Sequence, residues 1–143
     1  KWDVYIPASA STNLQFKNNG TDRVTIQNDG DVGIGTTSPV STLDIQGSLS
    51  QKTTTITSAT TLDNTHNIIL CNTGSYTVTL PAASSNTNRI YTIKNIDTDG
   101  DDITIDGNAS ETIDGTTTFN LSAYNQTITI ASDGSNWFII ELN

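Results

Sequence analysis

The 143-residue chain contains no methionine, one cysteine, three prolines and two glutamates. A single cysteine, Cys71, excludes an internal disulfide framework and leaves the redox compartment open. Positive charge is equally scarce: six Lys plus Arg stand against fifteen Asp plus Glu, a formal net charge of −9, and the basic residues form no cluster. Such a chain repels phosphate backbones and anionic headgroups, so no nucleic acid and no anionic membrane surface is expected as a partner. No run approaches the ~18 apolar residues of a membrane helix, so no membrane insertion is expected. The N-terminal KWDVYIPAS lacks a signal-peptide pattern. Because the chain opens on Lys1 and carries no Met, it is expected to be processed or to be a piece of something longer.

What is present is threonine, asparagine and serine, at 26, 15 and 14 positions, together with 17 isoleucines. Threonine is β-branched, and Asn, Ser and Gly bend the chain, so this composition starves helices and favours short strands and turns. Most of the isoleucines stand singly between polar residues. That pattern makes two-faced strands and leaves little for a thick core.

Residues 1–47 read as short alternating runs. Trp2, Val4 and Ile6 share a face, and Leu14–Phe16 and Val24–Ile26 flank an Asn19-Gly20 hairpin turn. In Val32-Gly33-Ile34-Gly35 the glycines are expected to let another backbone approach closely. A Thr/Ser-rich connector over 48–65 turns into a strand near Thr54–Thr57, and a soft boundary near 48–52 divides a 1–50 module from a 51–143 module. Strands then follow at Ile68–Cys71, Tyr76–Leu80, Ile90–Ile96, Ile103–Ile105, Phe119–Leu121, Ile128–Ile130 and Trp137–Ile140. Their spacing indicates an all-β sandwich, barrel or prism. Asp-Gly recurs at 29–30, 99–100, 106–107, 114–115 and 133–134, each a tight-turn signal. Residues 24–35 and 128–139 echo one another as strand, Asp-Gly turn, strand.

Candidates for chemistry are few. His66 and Cys71 are five apart, which on one strand points them to opposite faces, and a reactive thiolate needs an electropositive setting that this chain supplies poorly. Cys71 therefore reads as a small core hydrophobe. Glycosidase chemistry needs two carboxylates across a cleft, yet Glu111 and Glu141 are the only glutamates and most Asp sit beside Gly. Asp97-Thr-Asp99-Gly-Asp101-Asp102 presents oxygen ligands at alternate positions, but its glycine falls fourth where an EF-hand loop needs it sixth. A solvated hairpin turn is the expectation there. Asn-X-Ser/Thr sequons at Asn19, Asn108, Asn120 and Asn125 arise readily by chance in such a composition. Trp137 is expected to plug the core rather than to offer a sugar-stacking face, while Tyr76, Tyr91, Tyr124 and Trp2 stay open between those roles. No catalytic residue, cofactor or metal is expected, and no receptor-binding residue is assigned.

Asn28-Asp-Gly-Asp-Val-Gly-Ile-Gly-Thr-Thr-Ser-Pro39 followed by Leu43-Asp44-Ile45 resembles a GNVGIGTTSP-type motif of bacteriophage tail fibres and phage-derived surface fibres, with Asp31 where the family often has Asn. A second stretch is similar to another module of those fibres: Leu80-Pro-Ala-Ala, Ile90–Asn95, Ile113-Asp-Gly, Leu121, Ile128–Ile130 and Ser132-Asp-Gly-Ser-Asn-Trp137. The resemblance covers about Leu14 to Ile140. It implies an all-β, elongated homotrimeric fibre, with a β-prism or intertwined N-terminal part and a β-sandwich-like C-terminal module. It further implies a non-enzymatic viral structural protein of the virion tail fibre, contacting other virion tail proteins and a host cell-surface glycan or protein. Such fibres often end in a self-cleaving chaperone, which has no counterpart before Asn143. Alternatives are a subunit of an extracellular bacterial filament or adhesin, or a fragment of a phage glycan depolymerase.

Overall fold

The computed structural model describes residues 1–5 and 13–143 and is all-β, with one 3₁₀ turn at Ala83–Ser85 and no α-helix among the described residues. The chain divides into two compact units, Lys1–Ser50 and Gln51–Asn143.

The first unit is one five-stranded sheet in sequence order: β1 (Trp2–Tyr5), β2 (Leu14–Asn18), β3 (Thr21–Ile26), β4 (Val32–Ile34) and β5 (Leu43–Ile45). Asn19 and Gly20, at φ 49° and 77°, make the two-residue turn between β2 and β3. Directly paired residues share a face, so two apolar rows run across the sheet: Val4, Phe16, Val24, Ile34 and Ile45, and beside it Leu14, Ile26, Val32 and Leu43. Trp2 extends the same face, whereas Ile6 lies outside the described residues. The opposite face carries Gln15, Thr25, Gly33 and Asp44.

β4 and β5 are parallel, joined by only the eight residues Gly35–Thr42, a tight connection for that geometry. Gly33 makes it fit: a Cβ there would stand 2.5 Å from the Thr36 carbonyl oxygen. The close approach expected of this glycine is therefore to its own chain three residues on. Gly35 turns the chain at φ 76°, its N–H donating to the Arg23 carbonyl at 3.0 Å.

The second unit holds nine strands: β6 (Thr53–Ile56), β7 (Thr60–Thr61), β8 (Ile68–Cys71), β9 (Tyr76–Thr79), β10 (Ile90–Asn95), β11 (Ile103–Asp106), β12 (Thr118–Leu121), β13 (Thr127–Ser132) and β14 (Trp137–Leu142). Two mixed sheets form, ordered β14-β13-β10-β8-β6 and β12-β11-β9-β7. Within them β6, β8 and β10 run parallel, as do β7, β9 and β11. Successive strands alternate between the sheets, so the chain winds three times around one core before β12, β13 and β14 close the stack antiparallel. Strand alternation indicates a sandwich, barrel or prism without choosing among them; a period of two reads the same in parallel and antiparallel neighbours, so the winding is invisible to it.

Winding stacks like on like. Ile69, Ile93 and Ile128 form one inward row, and Val78 pairs with Ile105 and Ile103 with Leu121 in the other sheet, all fully buried. The outward positions are largely threonine: Thr77 and Thr104, Thr53, Thr92 and Thr129. Trp137 is wholly buried and lies 5.6 Å from the Tyr91 ring, as core plugging requires.

Candidate functional site

The Asp97–Asp102 segment links β10 to β11, which lie in different sheets, so it is a corner of the winding and not the hairpin turn expected from its sequence. Asp97 is 3% exposed. Its Oδ1 accepts the Asp99 N–H at 2.9 Å and its Oδ2 the Gly74 N–H at 2.7 Å, tying this corner to the one between β8 and β9. The Asp99 N–H, ahead of that of Gly74, holds the carboxyl below the ordinary carboxylate range, against a smaller opposing effect of burial. Asp101 accepts the Ser75 hydroxyl at 3.1 Å, and that hydroxyl accepts the Asp102 N–H. Asp97 thus caps backbone N–H groups and Asp101 holds a hydroxyl. Among the described residues no three or more of His, Cys, Asp and Glu gather in a way that could hold a metal ion.

Sequence reasoning missed Asn95 at the same corner. It follows Tyr91 and Ile93 on the inward face of β10 and is fully buried, its Nδ2 donating to the Asp101 and Leu121 carbonyls at 3.0 and 3.1 Å and its Oδ1 accepting the Asp97 N–H at 2.9 Å. The alternation of β10 was the available signal, since it places Asn95 in the core.

The nucleophile candidates come apart. Cys71 is fully buried, and burial pushes its thiol up to about 11, so it stays protonated. His66 lies before β8 with Nδ1 2.7 Å from Asp63 Oδ1. That carboxyl also accepts the hydroxyl and N–H of Thr65, at 2.7 and 2.8 Å, and these bonds, with His66 behind them, lower it to about 2. Arg89 and the Tyr91 hydroxyl bind carbonyls of the same 63–66 turn. The carboxylate pair fares no better: both oxygens of Glu111 accept the Ala83 N–H at 3.0 Å, while Glu141 is exposed on β14.

The resemblance motifs also have structural work. Asp133 Oδ1 accepts the Ser135 and Asn136 N–H groups, Asn136 Oδ1 accepts the N–H and hydroxyl of Thr112, and the Trp137 N–H donates to the Thr112 carbonyl at 2.9 Å. The Ile113-Asp-Gly turn closes on Trp137 through the Asp114 N–H at 3.1 Å. Ser132–Trp137 and Ile113–Gly115 are thus two halves of one latch at the core. Of the repeated Asp-Gly pairs, Gly107 departs from the turn reading: it lacks a positive φ, and a Cβ there would meet the Glu111 carbonyl oxygen at 2.2 Å.

An open hollow of about 360 Å³ lies at the β12–β13 turn, lined by Ala123, Tyr124, Asn125, Gln126 and Asn143. Tyr124 is 55% exposed there, and Gln126 Oε1 is engaged by the Ser122 and Ala123 N–H groups. One aromatic face beside amide groups suits polar, ring-bearing ligands such as sugars better than a reaction.

A scan against known protein families finds no match, and no curated protein matches the chain. Among the described residues no helix is long and apolar enough to cross a membrane.

Proposed function

We propose that this chain is a structural, non-enzymatic segment of a virion tail fibre that assembles as a homotrimer and serves attachment to a cell-surface glycan or protein. The observation that carries the reading is the contrast between the units. Among the described residues every apolar side chain in the buried core lies at or beyond Ile56, and none comes from Lys1–Ser50. A single-layer sheet of that size does not hold without a second layer, which other chains supply. The acidic, histidine and cysteine groups are spent on corners and core, which suits a scaffold, and three copies turn weak surface contacts into avid ones.

Light scattering of the 15.3 kDa chain over a range of dilutions, with and without a chelator, tests the reading. A fixed mass of three chains is expected. A monomer at every concentration overturns the proposal, and an open-ended ladder of sizes replaces it with a filament subunit.

A further inference from the structure

We infer that the apolar face of the β1–β5 sheet is the surface through which copies of this chain pack against one another around a common axis; the inference rests on the assembly reading above and names where assembly occurs. Among the described residues of Lys1–Ser50 no second sheet lies over this face. Trp2 and Val4 are each 67% exposed, Leu43 56% and Ile34 41%, and the remaining members of both rows are only half-buried. Together they leave on the order of 600–700 Å² of apolar side chain in water, close to the ~800 Å² per partner of a specific, stable interface. An uncovered patch that large exceeds what single soluble chains ordinarily tolerate.

The occupant is a second copy, for two reasons. Both rows lack any charged side chain, and only Trp2 and its pair Asn18 at one end of the face bring hydrogen-bonding groups, so the face offers little by which to select a partner of different chemistry. Each copy brings an identical unpaired layer, so three copies with these faces turned toward a common axis remove the exposure of all three at once. The reverse face is polar: Lys17 and Asp22 form an ion pair at 2.7 Å beside the row of Gln15, Thr25 and Asp44. That side is already closed within the unit, with Thr25 fully buried and Thr36 standing over Gly33, which leaves the apolar side as the one open to another copy.

Two variants of the full chain, each with one added cysteine and the buried Cys71 left in place, test the assignment under mild oxidation. Leu43→Cys, on the apolar face, is expected to cross-link copies, and Asp44→Cys, one residue on and facing the other way, is expected to stay uncross-linked. Val24→Asp is expected to lower the mass about threefold to a single chain, with hydrogen exchange over 53–142 unchanged because that unit has its own core. Cross-linking through Asp44→Cys and not Leu43→Cys, or an undiminished mass for Val24→Asp, overturns this face as the interface while leaving the fibre reading intact. A monomeric unmodified chain overturns both.

Discussion

Trp137 gives the sharpest test of how the second unit is held. Its indole is fully buried against Tyr91, yet its Nε1–H has no hydrogen-bond partner. Burying some 200 Å² of indole at ~25 cal/mol/Å² is worth about 5 kcal/mol, and truncation of a buried Trp to Ala ordinarily costs about 3–5 kcal/mol. A unit whose total stability is about 5–15 kcal/mol loses a large share of it. Trp137→Phe behaves differently. It gives up roughly a third of the ring's burial, about 1.5 kcal/mol by the same coefficient, but also removes a buried, unpaired donor whose desolvation penalty is about 1–3 kcal/mol. The two effects nearly cancel, so Trp137→Phe is expected to lie within about 1 kcal/mol of the parent. Urea unfolding followed by far-UV circular dichroism, at one fixed protein concentration, reads this as a midpoint drop of roughly 2 M for Trp137→Ala and under about 1 M for Trp137→Phe. Equal losses for the two variants would refute the argument, because the ring's N–H would then be contributing a bond the geometry denies it.

Three other outcomes follow from the same geometry. Gly33→Ala forces a Cβ to within 2.5 Å of the Thr36 carbonyl and should destabilise the first sheet by about 1–3 kcal/mol, with hydrogen-exchange protection lost over 14–45 and kept over 53–142. Cys71, buried and pushed up to about 11, should ignore iodoacetamide at pH 8 until denaturant is added; rapid labelling of the folded chain would contradict the core assignment. Asp63 is depressed from 3.8 to about 2 in the fold, so its stabilisation is complete above pH 3.8 and disappears as pH falls towards 2. Asp63→Asn should accordingly flatten the acid limb of the stability profile in that window and leave its neutral region with the same slope.

Most strands were legible because period-two alternation survives any sheet context: Ile68–Cys71 is β8 to the residue, and the Asn19-Gly20 turn needed only its two positive-φ positions. Pairing direction was not legible. Ile90–Asn95 and Ile103–Asp106 look like the arms of a hairpin with an acidic tip, yet they belong to different sheets, and nothing local in Asp97–Asp102 distinguishes a hairpin from a corner. The two-residue strand Thr60–Thr61 escaped notice because it has no apolar partner in sequence and is set by the Thr79 and Val78 edge beside it. Cys71 and Trp137 were readable as core because an isolated thiol without a nearby cation and an aromatic inside an alternating strand have few other uses. The roles of Asn95 and Glu111 were not, since each depends on backbone groups distant in sequence: Leu121 for one and Ala83 for the other.

The same sequence grammar, apolar residues set singly between Thr, Asn and Asp, yields opposite outcomes in the two units, and the difference is topological. In Gln51–Asn143 the chain crosses between two sheets at each corner, so inward rows such as Ile69-Ile93-Ile128 and Val78-Ile105 face one another within a single chain. In Lys1–Ser50 every connection returns to the same sheet, so Phe16, Val24 and Ile34 line up just as regularly but meet no opposing layer. The short Gly35–Thr42 loop, held by Gly33 under Thr36 and by the Val40 N–H donating to Asp44 at 3.1 Å, keeps β5 beside β4 and so preserves the open layer. The glycine motif thus has a physical role beyond a turn: it keeps β5 beside β4 and both apolar rows on one face of the sheet.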